Sequence, residues 1–132
     1  MVPLIVQEPS TELCVRVWNE STRVLCVRLL YPEARAALAK AERIGRLTKR
    51  QLRVAVAELD DIVTQVDNIE VSSGLVQEAG ELTEAHGLRG YDAVHLAAAA
   101  SAHDDDLLLI TGDRSLAAAA KAIGLAVLVT QP

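Results

Sequence analysis

Apolar positions along this chain fall into two kinds of run, and the two kinds alternate. Short, dense runs of β-branched residues and Leu read as strands, whereas longer runs with apolar residues three and four apart read as helices. "RVLCVRLL" (Arg23–Leu30) is of the first kind. "YPEARAALAKAERIG" follows it, with Pro32 suited to a first helical turn, Ala at helical spacing and Gly45 to stop it. "TKRQLRVAVAELDDIVTQ" opens with Thr48 and Gln51 at capping-box spacing and continues as an amphipathic helix. "NIEVS" is a short strand, after which a helix runs from Ser72 or Ser73 to about His86 and Gly87 ends it.

"RGYDAVHLAAAASAH" is a helix apolar on nearly every side, which predicts burial. "DLLLIT" shows no alternation, as for a strand covered on both faces. The helix "SLAAAAKAI" ends at Gly124, and "LAVLVT" is another buried strand. Strands alternating with helices imply parallel pairing and right-handed crossovers. The pattern contains no internal repeat, linker or low-complexity tail, so the expectation is one α/β domain over residues 1–132, a sandwich around a parallel sheet.

Composition sharpens this picture. A chain of 132 residues can bury a real core, but Trp18, Tyr31 and Tyr91 are its only aromatics. The core must be built from Leu, Val, Ile and Ala, and Ala faces let helices approach closely. A formal charge of −5 argues against non-specific adhesion to phosphate backbones. It does not exclude a nuclease, whose metal site concentrates acids locally. Arg43, Arg46, Lys49, Arg50 and Arg53 are bunched, and a solvated helix face accounts for them. Cys14 and Cys26 lie in apolar surroundings and read as reduced thiols of a cytoplasmic protein. No run reaches the ~20 apolar residues of a membrane span. "MVPLIVQEP" lacks the basic start of a signal peptide.

Three acids stand where chemistry could sit. Ligands of open parallel sheets bind beyond the carboxyl ends of the strands, and Asp113 comes just after "LLLIT". Glu33 follows the strand "VLCVRL" by four residues, in the first turn of its helix, and Asp92 lies in the first turn of the Ala-rich helix. Each acid alone has a plain explanation, since a carboxylate at a helix N-terminus gains roughly 0.3–1 kcal/mol from the dipole. Asp113 could also cap the helix that begins near Ser115. Together they ask for more, because a buried acid is costly unless paired or bound to a cation. Clustered carboxylates suit a hard ion such as Mg²⁺ or Mn²⁺. His95, three residues after Asp92, reads as a structural histidine, and His103–Asp106 as a solvated loop. No Cys/His spacing suits zinc, and no Gly-rich phosphate loop occurs.

"YPEARAAL", "RGYDAVHLAAA" and "LLLITGDRSLAAAAKAIGLAV" resemble the successive motifs of PIN-domain ribonucleases, and among them the VapC toxin branch of bacterial toxin–antitoxin systems. The resemblance covers nearly the whole chain. It implies a flavodoxin-like three-layer fold and metal-dependent endonucleolytic cleavage of RNA, with water activated by Mg²⁺ or Mn²⁺ attacking the phosphodiester. Glu33, Asp92 and Asp113 match three acids of the family's metal site, and Thr111 matches the hydroxyl residue that often precedes the last acid. Arg114 is placed to contact phosphate or to form a surface ion pair. A homodimer and a cognate VapB-like antitoxin covering the acidic cleft are also implied.

The N-terminus departs from that pattern. Members of the family open with a short apolar strand ending in Asp, and "MVPLIVQEPST" is similar to the segment that comes after that strand. On this resemblance the natural product begins upstream of Met1, or its first stretch is rearranged. The 132-residue form is then expected to have little or no metal-dependent ribonuclease activity. The alternative from a different class is a catalytically impaired PIN-like module acting through protein binding. A receiver-like phosphoacceptor is set aside: it needs an acidic pair after the first strand and a Lys ending the last, whereas Lys121 lies inside a helix.

Overall fold

The computed structural model describes residues 1–131, in two compact units that divide after Asn68. Pro132, the last residue of the expected domain, lies outside the described residues.

The first unit carries a 3-10 turn (Val2–Leu4), α1 (Thr11–Glu20), β1 (Leu25–Val27), α2 (Leu30–Arg43) and α3 (Lys49–Val63). β2 (Asp67–Ile69) pairs with β1 in a two-stranded sheet. Its core forms where α2 meets α3. Ala34 and Leu38 on one helix, and Ala55 and Leu59 on the other, repeat at the four-residue spacing that stacks side chains on one face. Leu38 and Leu59 are fully buried, and the small Ala34 and Ala55 let the two backbones approach. Met1, Val2, Ile5 and Val6 pack on this cluster from the N-terminal side.

The connection between α2 and α3 is decided by local chemistry. Gly45 takes φ +80°, a conformation that costs glycine little and other residues more. Thr48 and Gln51 then form the reciprocal box expected from their spacing. Thr48 Oγ1 accepts from the Gln51 N–H at 3.1 Å, and Gln51 Oε1 accepts from the Thr48 N–H at 2.8 Å.

α1 precedes the first run that the sequence pattern singles out. Its signal is nevertheless present: half-buried Leu13, Cys14, Val17 and Trp18 form one helical stripe, and Glu12, Arg16, Asn19 and Glu20 are exposed. Burial pushes the Cys26 thiol above its usual pKa, which keeps it protonated at neutral pH.

The second unit carries α4 (Ser73–His86), α5 (Gly90–Ser101), β3 (Leu108–Thr111), α6 (Arg114–Ala122) and β4 (Ala126–Val129). Ser72 caps α4 by accepting from the Leu75 N–H, and Gly87 ends it at φ +64°. α5 packs between α4 and α6. Its Ala93, Leu96, Ala97 and Ala98 are buried, as are Ala117, Ala119 and Ala120 of α6, so the close-packed Ala core predicted from composition is present.

β3 and β4 run parallel, in register from Leu108 opposite Ala126 to Thr111 opposite Val129. That bears out parallel pairing across the helix between them. The expectation that both strands are covered on both faces needs correction. Leu108 and Ile110 are 46 % and 39 % exposed, alternating with half-buried Leu109 and Thr111. Two-residue alternation marks a strand with one covered face. Among the described residues β3 is hydrogen-bonded to β4 alone, in a two-stranded sheet on which α6 packs.

Replacing Leu38 by Ala should destabilise the protein by about 2–5 kcal/mol, because a fully buried side chain leaves a cavity. Thr48→Ala should cost about 1 kcal/mol through the lost cap. Urea denaturation followed by circular dichroism measures both, and a Leu38→Ala loss no larger than that of Thr48→Ala would contradict this core.

Candidate functional site

The site grows from the three residues at the carboxyl end of β3. The Thr111 carbonyl accepts from the Thr130 N–H at 3.0 Å, which ties the end of β3 to the chain just past β4. Thr111 Oγ1 in turn accepts from the Asp113 N–H at 3.0 Å. Gly112 lies close against the segment just past β4, where a Cβ would lie 3.4 Å from Thr130 Oγ1. These contacts fix the backbone of Asp113 before its side chain is considered.

The Asp113 carboxylate then divides its two oxygens. Oδ1 accepts from the Leu116 N–H at 2.8 Å, making Asp113 the N-cap of α6. Oδ2 meets Arg89 Nη2 at 3.4 Å. The same guanidinium donates through Nε to Asp92 Oδ2 at 2.9 Å. Arg89 is the N-cap position of α5 and Asp92 lies in that helix's first turn, so the starts of two helices share one cation.

Both carboxylates sit at the positive ends of helix dipoles, where negative charge is stabilised. Asp92 and Asp113 side chains are 18 % and 34 % exposed, whereas that of Arg89 is 81 % exposed. The hydrogen bond to Asp92 and then the charges of Asp92 and Asp113 hold the guanidinium above its already high pKa. It is a permanent cation. Because the arginine is solvated, its ion pairs add little to stability.

Of the acids singled out in the sequence, the second unit brings Asp92 and Asp113 together, with Thr111 bonded to the backbone of the latter. Glu33 belongs to the first unit, half-buried in the first turn of α2. His95 is half-buried on α5, one turn beyond Asp92. His103–Asp106 are exposed, and Asp104 Oδ1 accepts from the Asp106 N–H, so the solvated-loop reading holds there. Among the described residues of either unit, no group of three or more His, Cys, Asp or Glu is assembled that could hold a metal ion.

Arg89 is the residue that sequence reasoning missed. Its signal is local: it occupies an N-cap, where Ser, Thr, Asp or Asn is preferred, and makes no side-chain cap bond.

The sequence matches the PIN domain family over residues 1–122. The chain is a PIN-domain protein. Ribonuclease VapC45 of Mycobacterium tuberculosis (strain CDC 1551 / Oshkosh) is 38 % identical to it over 130 residues, 98 % of this chain and 90 % of the relative. Ribonuclease VapC49 of Mycobacterium tuberculosis (strain ATCC 25618 / H37Rv) is similar to the same extent. The match to the PIN domain runs through the division between the two units and includes Glu33, Arg89, Asp92, Thr111 and Asp113.

The carboxylates of this PIN domain suit a hard divalent ion. Two oxygens, Asp92 Oδ2 and Asp113 Oδ2, already converge on one positive charge. Mg²⁺ is commonly held by one or two carboxylates, with water or substrate phosphate completing its shell. Asp113 Oδ1 stays committed to the start of α6.

The two tasks of Asp113 can be separated. Asp113→Asn keeps a cap-competent oxygen and should stay within about 0.5 kcal/mol of the parent, whereas Asp113→Ala should lose about 0.5–2 kcal/mol. Thermal unfolding without added metal reads the difference, and equal losses in both variants would rule out the cap.

Proposed function

We propose that this PIN domain is a VapC-type endoribonuclease, the toxin of a toxin–antitoxin pair, dependent on Mg²⁺ or Mn²⁺. The carrying observation is the convergence of Asp92 Oδ2 and Asp113 Oδ2 on a single cation beyond β3. Similarity to two proteins named as ribonucleases supports the reaction class. The match across both units supports treating them as one domain.

Asp92 and Asp113 would hold the ion. A bound divalent ion supplies Lewis acidity toward phosphate and lowers the pKa of coordinated water. Thr111 acts as a positioning residue: its hydroxyl fixes the Asp113 backbone, and the cap to Leu116 fixes the carboxylate. Glu33 is proposed as a third acid on the family resemblance and its first-turn position in α2. Arg114, exposed at the first position of α6, is proposed to meet a backbone phosphate of the RNA. A VapB-like antitoxin and a second copy of the chain complete the proposed partners. Among the described residues no helix is long and apolar enough to cross a membrane, and a cytoplasmic site of action fits an RNA substrate.

The test is cleavage of single-stranded RNA by the protein. Activity should require Mg²⁺ or Mn²⁺, vanish with a chelator and return when metal is restored. Asp92→Asn should lower it about 100-fold or more, the scale of losing several kcal/mol of transition-state stabilisation. Absence of cleavage with either ion, while the antitoxin still binds, would replace this reading with that of a protein-binding module.

A further inference from the structure

We infer that Arg89 is a displaceable internal counter-ion, which occupies the Asp92–Asp113 pair in the metal-free protein and must leave before a divalent cation can bind there. The inference rests on the metal-site reading above and adds a competitor to it.

Its first support is that Arg89 is locally misplaced. A cationic side chain at the N-cap faces the positive end of the α5 dipole and makes no cap bond there. Local rules are broken in this way chiefly at functional positions, where another interaction compensates. The compensation is visible, because Arg89 bridges acids from the starts of two helices.

The second support is the looseness of that bridge. Arginine grips a carboxylate best as a fork, with two parallel N–H donors on its two oxygens. Arg89 instead gives each acid a single contact, one of 2.9 Å and one of 3.4 Å, and its side chain is 81 % exposed. Such a group can swing into water at small cost.

The third is exclusion. Both contacts fall on the carboxylates that would hold a shared metal. A guanidinium and a divalent ion repel strongly at such short range, so binding one displaces the other. Without either, two carboxylates at adjacent helix starts would repel. Arg89 thus neutralises the empty pair and sets how much metal is needed to claim it. If the pair is free of Arg89 for roughly a tenth to a third of the time, the apparent Kd rises about 3- to 10-fold.

The test is titration with Mn²⁺ alone, free ion being read by electron paramagnetic resonance, with thermal unfolding in parallel. Arg89→Ala should tighten the Mn²⁺ Kd by about 3- to 10-fold. It should also enlarge the Tm gain on adding Mn²⁺. Arg89→Gln carries the same expectation and serves if the alanine variant folds poorly. Arg114→Ala removes the same charge from the residue after Asp113 but no bridge, and should change Kd by less than about 2-fold, as for a screened surface charge. An unchanged Kd in both Arg89 variants, or equal tightening in Arg114→Ala, overturns the inference while Asp92→Asn-sensitive binding leaves the metal site standing. Mn²⁺ binding that is absent throughout, or unaffected by Asp92→Asn, overturns the metal site and the inference together.

Discussion

The carboxylate of Asp113 is split between a backbone N–H of α6 and a guanidinium from the start of α5, and the rest of the site depends on that division. An aspartate has few rotatable bonds. Once Oδ1 is fixed on the Leu116 N–H, the direction of Oδ2 follows from the position of α6. The bond from the Asp113 N–H to Thr111 adds a second constraint, from the strand that α6 packs against. Functional side chains hold their geometry when the groups behind them are themselves held. Here the supporting bonds are ordinary capping and turn contacts.

This arrangement depends in turn on the alanines. Two acids on different helices can share one cation only if the helix starts come close, and helix separation is set by the side chains between the axes. α5 and α6 face their surroundings with Ala93, Ala97, Ala98, Ala117, Ala119 and Ala120, all buried. Larger residues there would move the two N-termini apart before any polar group was altered. The scarcity of aromatics noted in the sequence therefore bears on the site as well as on the core.

Much of the fold was legible because its boundaries are set by local chemistry. Gly45, Gly87 and Gly124 sit at positive φ where helices end, and Ser72, Thr48 and Asp113 cap where helices start. Burial of β3 was not legible, since a Leu-rich run does not reveal how many faces its neighbours cover. Leu108 and Ile110 are exposed on the face that the pattern left undecided. α1 was harder to see because Val15 interrupts its polar face and Ser10 gives no side-chain cap. At the site, Asp92 and Asp113 stood out as acids, whereas Arg89 passed as the start of the Ala-rich helix, and its bridge to both acids shows only in the fold.

Capping and catalysis compete in the sequence as explanations of the same acids, but at Asp113 they need not compete. A carboxylate suits the positive end of a helix dipole, and carboxylate oxygens are also the ligands that a hard cation prefers. The same reasoning addresses the charge of −5 in a protein proposed to act on RNA. A polyanion approaching bare carboxylates would be repelled. Neutralisation by Arg89, and by the divalent ion that would succeed it, is local and sits where the acids are. Net charge therefore describes how the whole molecule meets other polyanions at a distance, and this short-range pairing governs what happens at the mouth of β3.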